Sequence, residues 1–291
     1  RLRDLWIGTF HALFSRLLRY DIEKYQDPEG LTWTRQFSIY DETDSQTLVK
    51  EIVSQDMSLD PKRFDPKKIK RAISNAKNQC FTANDLEEKA DNHFDKIIAD
   101  AYRRYRISLS KNNALDFDDL LLLPVFLLRQ NDLVRDYWHK RFQHVLVDEY
   151  QDTNRTQYEL IKLITAGNTE PNKFCEWNDR SIFVVGDADQ SIYSFRAADF
   201  RILIGFQEDF KNSSNNDQKA SLVKLEENYR SSSNILTAAN SLIENNTERI
   251  DKVLRPTREE GELLKLLSCD DEISEAEAIT TKLRTLNNYN N

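Results

Sequence analysis

The chain has 291 residues, of which 31% are charged and 39% hydrophobic, a composition typical of a globular protein of about two domains. Its cysteines, Cys80, Cys175 and Cys269, lie far apart without a CxxC pair, and its histidines form no ligand pattern. This argues against a disulfide framework and a zinc site. The longest apolar run, Leu120–Leu128, is too short to cross a bilayer, and no secretory leader is recognisable. We therefore expect a cytoplasmic protein with no membrane partner.

Charge is distributed unevenly along the chain, whose net charge is −8. The segment Pro61–Lys77 concentrates Lys and Arg around one acid, and Tyr102–Arg106 interleaves aromatic residues with arginines. Because local charge decides binding more than the sum does, a nucleic-acid partner is compatible with the negative total. The alternative is that both segments are solvated helix faces, and charge alone does not separate the two interpretations.

The first part of the chain is predicted to be helical. Ala12–Tyr20 has apolar residues at helical spacing. Asp60-Pro61 and Asp65-Pro66 each place a capping acid before a proline, which predicts that a helix begins at each. Further helices are expected at Pro66–Lys77, Asp85–Lys111 and Asp116–Arg129.

Three units then follow in which an apolar strand is succeeded by a polar turn and a helix. Their strands and turns read HVLVDEYQDTN (144–154), SIFVVGDADQSIYSF (181–195) and SLVKLEENYRSSS (221–233). Strands that alternate with helices predict a parallel sheet, whose ligands lie beyond the carboxyl ends of the strands. The polar stretch 211–219 separates the second and third units and is an expected domain boundary.

Two adjacent acids, Asp148 and Glu149, end the first of these strands. Neighbouring carboxylates repel each other, and a divalent cation would offset this if one acid held the metal and the other oriented a water. The alternative is helix capping, because Asn154 and Gln157 form a capping-box pattern. Capping explains the turn before the helix but not Asp148 and Glu149.

Polar and aromatic residues also follow the other two strands. Gln190 can hydrogen-bond a phosphate or an attacking water, and Tyr193 and Phe195, followed by Arg196, could stack on nucleobases. Both rings could instead belong to the core. Arg230 precedes a serine-capped helix and is well placed for an anionic ligand, or else for a surface salt bridge.

Several segments, in this order, resemble motifs of the UvrD/PcrA/Rep-type superfamily-1A DNA helicases. GTFHAL (8–13) looks like motif Ib, and LDFDDLL (115–121) looks like the stretch before the Walker B strand. VDEYQDTN (147–154), VVGDADQSIYSFRAAD (184–199) and LEENYRSS (225–232) resemble motifs II, III and IV.

The resemblance implies an α/β fold with a RecA-like P-loop NTPase sheet. Residues 1–21 and 114–218 would form RecA-like domain 1A, and residues 22–113, which include DPKRFDPKKIKRAISNAKN, the helical insertion subdomain 1B. Residues 219–291 would begin a second RecA-like domain, 2A.

The same resemblance assigns residues to ATP. Asp148 would bind Mg²⁺, and Glu149 would be the base for the water that attacks the γ-phosphate. Gln190 would sense that phosphate, Arg230 would be the arginine finger, and Tyr229 would stack on adenine.

It also implies DNA contacts. Thr9 and His11 would touch the single strand, and Tyr193 and Phe195 would provide stacking surfaces beside Arg196. The implied activity is ATP-dependent 3′→5′ movement on single-stranded DNA and at junctions with duplex, in DNA repair or replication. The resemblance identifies no protein partner.

The phosphate-binding loop of such enzymes is missing from these residues. None of the glycines is followed by Lys-Ser or Lys-Thr, so the chain contains no Walker A motif. In the family this loop precedes motif Ib, and we therefore expect a fragment that is inactive alone. Two alternatives stay open: a helicase–nuclease subunit of the RecB/AddA kind, and a non-catalytic DNA-binding scaffold without a P-loop.

Overall fold

The computed structural model describes residues 5–167, 180–193, 197–210, 222–247 and 249–288. They fall into two units, divided between Leu222 and Val223. Both units combine helices with short pairs of parallel strands, which confirms the expected mixed α/β class. Within these ranges, no helix combines the length and the apolar composition needed to span a bilayer.

The described elements have the following bounds. The helices of the first unit are α1 (Phe10–Asp21), α2 (Glu42–Glu51), α3 (Pro66–Asn78), α4 (Ala83–Glu88), α5 (His93–Lys111), α6 (Asp119–Gln130), α7 (Asp132–Arg141), α8 (Arg155–Ala166) and α9 (Arg201–Asp209). Its strands are β1 (Ser38–Tyr40), β2 (Ala114–Asp116), β3 (His144–Val147) and β4 (Ser181–Val184). The second unit contains β5 (Glu227–Asn228), α10 (Ser233–Ile243), β6 (Arg255–Pro256) and α11 (Glu272–Asn288).

Parallel pairing sets where the site forms. β1 pairs with β2 across the helices α2 to α5, and β3 pairs with β4 with Val147 opposite Val184. Because parallel strands end at the same edge, the residues after Val147 and Val184 are brought together.

The first unit has two main hydrophobic clusters. In one, α1 packs on α6 and α7, and α6 is buried on nearly all sides because its sequence is apolar throughout. In the other, α3 packs on α2 and α5 through Ile69, Ile73 and Ala76, which recur on one helix face. The opposite face of α3 carries Lys67 and Arg71, which are exposed.

A buried ammonium group joins the last turn of α3 to the segment that begins α6. Lys77 Nζ lies 2.9 Å from Asp116 Oδ2 and 2.7 Å from Asp119 Oδ1, and its side chain is fully buried. Tyr105 of α5 donates a hydrogen bond to Asp116 at 2.9 Å. Burial would by itself lower the pKa of Lys77, but the two carboxylates outweigh it and hold the pKa well above its usual value. The ammonium therefore stays charged and ties three helices and β2 together.

The single helix expected at Asp85–Lys111 is wrong, because the structure has two. α4 ends at Glu88, and α5 begins after Asn92, whose side chain accepts hydrogen bonds from the backbone N–H groups of Phe94 and Asp95. An asparagine inside the expected helix is thus the N-cap of a new one.

Other boundaries also differ. Asp65 does cap α3, but Asp60 closes only a turn, in which its side chain accepts from the N–H of Lys62. The helix expected from Asp116 begins at Asp119, since residues 114–116 pair with β1. In the third strand–turn–helix unit, only Glu227–Asn228 of the described residues is a strand.

Replacing the buried ammonium tests this organisation. We expect Lys77→Met to lower the free energy of unfolding by about 3–5 kcal/mol, because buried Asp116 and Asp119 would lose the cation at 2.9 Å and 2.7 Å, and Lys70 lies 3.9 Å from Asp116. Urea denaturation measures the change. Lys68→Met, on the exposed face of the same helix, should change it by less than about 0.5 kcal/mol. Equal effects of the two substitutions would contradict the role of Lys77.

Candidate functional site

The two acids after β3 lie in a loop whose backbone is strained. Glu149 has a φ of 49°, in the left-handed region that side-chain-bearing residues rarely adopt. Its N–H donates to Asp148 Oδ1 at 2.9 Å, and a 3₁₀ turn, Tyr150–Asp152, follows. Both carboxylates are exposed. Strain of this kind often occurs where a chain orients reacting groups.

A chain of hydrogen bonds connects this loop to the loop after β4. Gln151 Nε2 donates to Glu149 Oε2 at 2.6 Å, and Gln151 Oε1 accepts from the N–H of Asp187 at 2.9 Å. Asp187 Oδ2 in turn accepts from Gln190 Nε2 at 2.8 Å. Gln151 is buried, so its amide is fixed between the two loops. Glu149 and Gln190, both singled out from the sequence, are thus members of one network.

The close approach of the two loops requires a glycine. A Cβ on Gly186 would lie 2.6 Å from Gln151 Oε1 and 3.2 Å from the backbone N of Tyr150. The N–H of Tyr150 donates to the carbonyl of Val185 at 2.9 Å, which extends the strand pairing past Val147. Any larger residue at 186 would push the acid-bearing loop away from β4.

The donor set of this loop suits a cation that is bound chiefly by its substrate. Among the described residues, no three His, Cys, Asp or Glu side chains are grouped to hold a metal. Mg²⁺ at phosphate sites typically takes only one or two protein carboxylates, together with phosphate oxygens and water. The exposed carboxylate of Asp148 fits that requirement. Asp152 differs, since burial and then the charge of Glu149 raise its pKa.

A large cavity opens beside the acid loop. We call it the groove; its volume is about 960 Å³, and its lining includes Lys67 and Arg71 of α3, Asn154, His11 and Tyr193. The groove therefore combines basic, aromatic and amide groups next to the turn that follows Glu149. Such a combination suits a single nucleic-acid strand, with phosphates on cations and bases against rings.

His11 is held at the groove by its neighbours. Its ring meets the ring of Phe117 edge-on, with 5.7 Å between centroids, and Phe117 is itself half exposed. Burial lowers the pKa of His11, although Asp118 acts in the opposite direction. The imidazole is therefore neutral near pH 7. Thr9 is exposed at the start of α1, where its side chain accepts from the N–H of Ala12 at 3.3 Å.

Comparison with known proteins decides the family. Residues 1–211 match the UvrD/REP helicase N-terminal domain, and residues 223–291 match the UvrD-like helicase C-terminal domain. The chain belongs to the UvrD-like helicases. This confirms the resemblance seen in the sequence motifs.

Relatives in this family are ATP-dependent DNA helicases named PcrA. The chain is 38% identical to that of Bacillus subtilis over 283 residues, or 97% of this chain and 35% of that protein. The PcrA helicases of Staphylococcus epidermidis and Leuconostoc citreum are 37% and 36% identical, over 96% and 98% of this chain. The chain thus spans 35% of the length of these curated relatives.

The second unit of this UvrD-like chain holds two further predicted residues. Tyr229 and Arg230 are both exposed, in a turn after β5. Asn228 Oδ1 accepts from the N–H of Arg230 at 3.0 Å, and Arg258 Nη1 donates to the carbonyl of Arg230 at 2.7 Å. The hydroxyl of Tyr229 donates to Glu227. These bonds fix the turn and leave both side chains at the surface.

Phe195 and Arg196, predicted to contact DNA, lie outside the described residues. Two residues that the sequence did not single out are Gln151, which joins the two loops, and Phe117, which contacts His11. Gln151 stands within the motif II stretch, 147–154. Phe117 stands in the stretch 115–121, between two acids. A search of that stretch for aromatic residues could have found Phe117.

Two glycine substitutions test the close approach. We expect Gly186→Ala to lower the free energy of unfolding by about 1–3 kcal/mol, since its Cβ would overlap Gln151. Gly205→Ala is the matched control, because its Cβ would meet no atom closer than 3.9 Å inside α9. It should raise the free energy of unfolding by about 0.5–1 kcal/mol. Urea denaturation gives both values, and a neutral Gly186→Ala would contradict the close approach.

Proposed function

We propose that this chain is part of an ATP-dependent 3′→5′ DNA helicase or translocase that acts on single-stranded DNA and its junctions with duplex. The observation that carries the proposal is the position of the groove directly beside the acid-bearing loop. Names of the PcrA relatives, which are ATP-dependent DNA helicases, support it. DNA repair or replication in the cytoplasm is the setting we infer.

In domain terms, residues 1–21 and 114–218 belong to a first RecA-like domain, 1A. Residues 22–113 form insertion 1B, and residues 219–291 begin the second RecA-like domain, 2A. The parallel pair β3–β4 and its crossover α8 support the RecA-like assignment, and the helical cluster of α2, α3 and α5 supports the insertion.

On the nucleotide side, Asp148 would hold Mg²⁺, which when bound would neutralise charge on the phosphates of ATP. Glu149 takes the proton of the attacking water, and its hydrogen bond to Gln151 orients the carboxylate. Gln190 contacts the γ-phosphate. Arg230 neutralises the charge that develops in the transition state, and Tyr229 stacks on adenine; their exposure leaves both available for this.

On the DNA side, Lys67 and Arg71 bind phosphates, while His11, Tyr193 and the neighbouring Phe117 face the bases. Phe195 and Arg196 also bind the strand, and Thr9 contacts its backbone. Base stacking of about 1–3 kcal/mol is strong enough to hold a base and weak enough to exchange it at each step.

A second candidate function is a DNA-binding scaffold without catalysis. The basic and aromatic lining of the groove is compatible with it, and these 291 residues contain no Walker A motif. Both candidates bind DNA, but only the first hydrolyses ATP once a phosphate-binding loop is supplied. For the same reason we propose that the 291-residue chain alone does not hydrolyse ATP.

DNA binding by the chain provides the first test of this function. Fluorescence anisotropy with a labelled oligothymidine at low salt should show binding that weakens as salt rises. Tyr193→Ala should cost about 1–3 kcal/mol of binding free energy, because a base would lose a stacking ring in the lining of the groove. Tyr137→Ala removes an exposed ring on α7, outside the lining of the groove, and should leave affinity unchanged. Equal affinities of the two variants would argue against the groove.

Catalysis is tested in a chimera in which this chain replaces the matching segment of the B. subtilis PcrA. We expect DNA-stimulated ATP hydrolysis, which Glu149→Gln lowers by about 10²–10⁴-fold because the general base is lost. The glutamine can still accept from Gln151, so DNA affinity should be retained. The 291-residue chain alone should show no hydrolysis. An active Glu149→Gln chimera would contradict the role of Glu149, and a chimera that folds and binds DNA but hydrolyses no ATP would favour the scaffold.

A further inference from the structure

Two asparagines connect the wall of the groove with the acid-bearing loop. Asn78 ends α3, the helix that carries Lys67 and Arg71, and Asn154 stands between the 3₁₀ turn after Glu149 and α8. Asn154 Nδ2 donates to Asn78 Oδ1 at 2.6 Å. Asn78 Nδ2 donates at 3.0 Å to Asp118, the neighbour of Phe117. Asn78 thus bridges three segments that meet at the groove.

The bridge is rigid because both amides are committed elsewhere as well. Asn154 is buried; its Oδ1 accepts from the N–H of Gln157 at 2.9 Å, and its own N–H donates to Gln157 Oε1 at 2.9 Å. Turning Asn154 away from Asn78 would break this cap. Asn78 Nδ2 also donates to the carbonyl of Ser74 at 2.8 Å, one turn earlier in α3.

A second set of contacts runs alongside the bridge. Thr156, in the first turn of α8, donates through Oγ1 to the carbonyl of Lys77 at 2.6 Å. The N–H of Cys80 donates to Thr156 Oγ1 at 3.2 Å. The end of α3 and the start of α8 are therefore joined by hydrogen bonds at more than one point, and such bonded segments can carry coupling between sites.

We propose that Asn78 and Asn154 are positioning residues that transmit the placement of α3 by DNA to the loop of Asp148 and Glu149. The inference rests on the proposed function, because it takes the groove to hold DNA and the loop to serve ATP. A DNA strand bound at Lys67 and Arg71 restrains α3. The bridge passes this restraint to the turn Tyr150–Asp152, which lies just before Asn154. This path leaves the groove at α3 and does not pass through Gln190.

Hydrogen exchange of the 291-residue chain, with and without an oligothymidine, tests the transmission. In the unmodified chain, DNA should slow amide exchange in residues 67–75 and also in residues 149–154. We expect a slowing of roughly 5- to 30-fold in the second segment, the range for restraint of a local opening by one or two hydrogen bonds.

The variants Asn78→Ala and Asn154→Ser separate transmission from DNA binding. Serine keeps an N-cap acceptor for α8 but lacks the amide that donates to Asn78. Each variant should retain the slowing at 67–75 and lose it at 149–154. Gln79→Ala is the matched control, since it removes an exposed amide next to Asn78 that neither lines the groove nor takes part in the bridge. It should retain the slowing at 149–154.

The outcomes distinguish the inference from the function on which it rests. Slowing at 67–75 without slowing at 149–154 in the unmodified chain would overturn the inference and leave the DNA groove standing. Retained slowing at 149–154 in both variants would also overturn it. If both variants lost the response at 67–75, the asparagines would serve the groove itself rather than transmission. Failure of the unmodified chain to bind DNA at low salt would overturn the groove and the inference together.

Discussion

The buried ammonium of Lys77 determines where the basic helix lies, and most features of the first unit depend on it. Two carboxylates, Asp116 and Asp119, take up its charge, and neither the cation nor the acids could be buried alone. Since these acids belong to β2 and to α6, the last turn of α3 is fixed against both. With the last turn held there, Lys67 and Arg71 on the exposed side of α3 line the groove.

A second constraint acts where β3 and β4 end. Gly186 lets the two loops touch, and Gln151 then hydrogen-bonds Glu149 on one side and the backbone of Asp187 on the other. This network holds Glu149 in its left-handed backbone conformation, which would otherwise cost about 1–3 kcal/mol. A carboxylate held in this way needs little reorganisation when it acts as a base, and such preorganisation is a large part of catalysis by fixed polar groups.

Local signals in the sequence predicted those parts of the fold that depend on neighbouring residues. The Asp65-Pro66 pair predicted the start of α3, and the apolar run before Asp148 predicted β3. The capping-box pattern of Asn154 and Gln157 is present in the structure. In each case the interacting groups are a few residues apart.

Features that the sequence missed depend on partners far along the chain. The hydrogen bond between Gln151 and Asp187 joins residues 36 positions apart, and no local pattern gives glutamine a partner at that distance. The start of α6 was misplaced because Asp116, expected to begin the helix, belongs to β2. This strand pairs with β1, more than seventy residues earlier, and the pairing outweighs the helical pattern. The break at Asn92 did have a local signal, because asparagine is a favoured N-cap residue. It was missed because the residues on both sides have helical patterns.

The charges of the groove explain how an acidic chain can hold an anionic strand. At physiological ionic strength charges are screened beyond about 8 Å, so most of the net charge of −8 acts too far away to oppose binding.

The acids that share the groove with Lys67 and Arg71 include Asp118 and Asp152. Burial raises the pKa of both; the charge of Asp116 adds to the effect at Asp118, and that of Glu149 at Asp152. Lys70 Nζ lies 3.8 Å from Asp118 Oδ2 and offsets the charge of that carboxylate, so that wall repels a phosphate less than the composition suggests. In the proposed function, the same arrangement would orient the strand, with its phosphates toward α3 and its bases toward His11 and Tyr193.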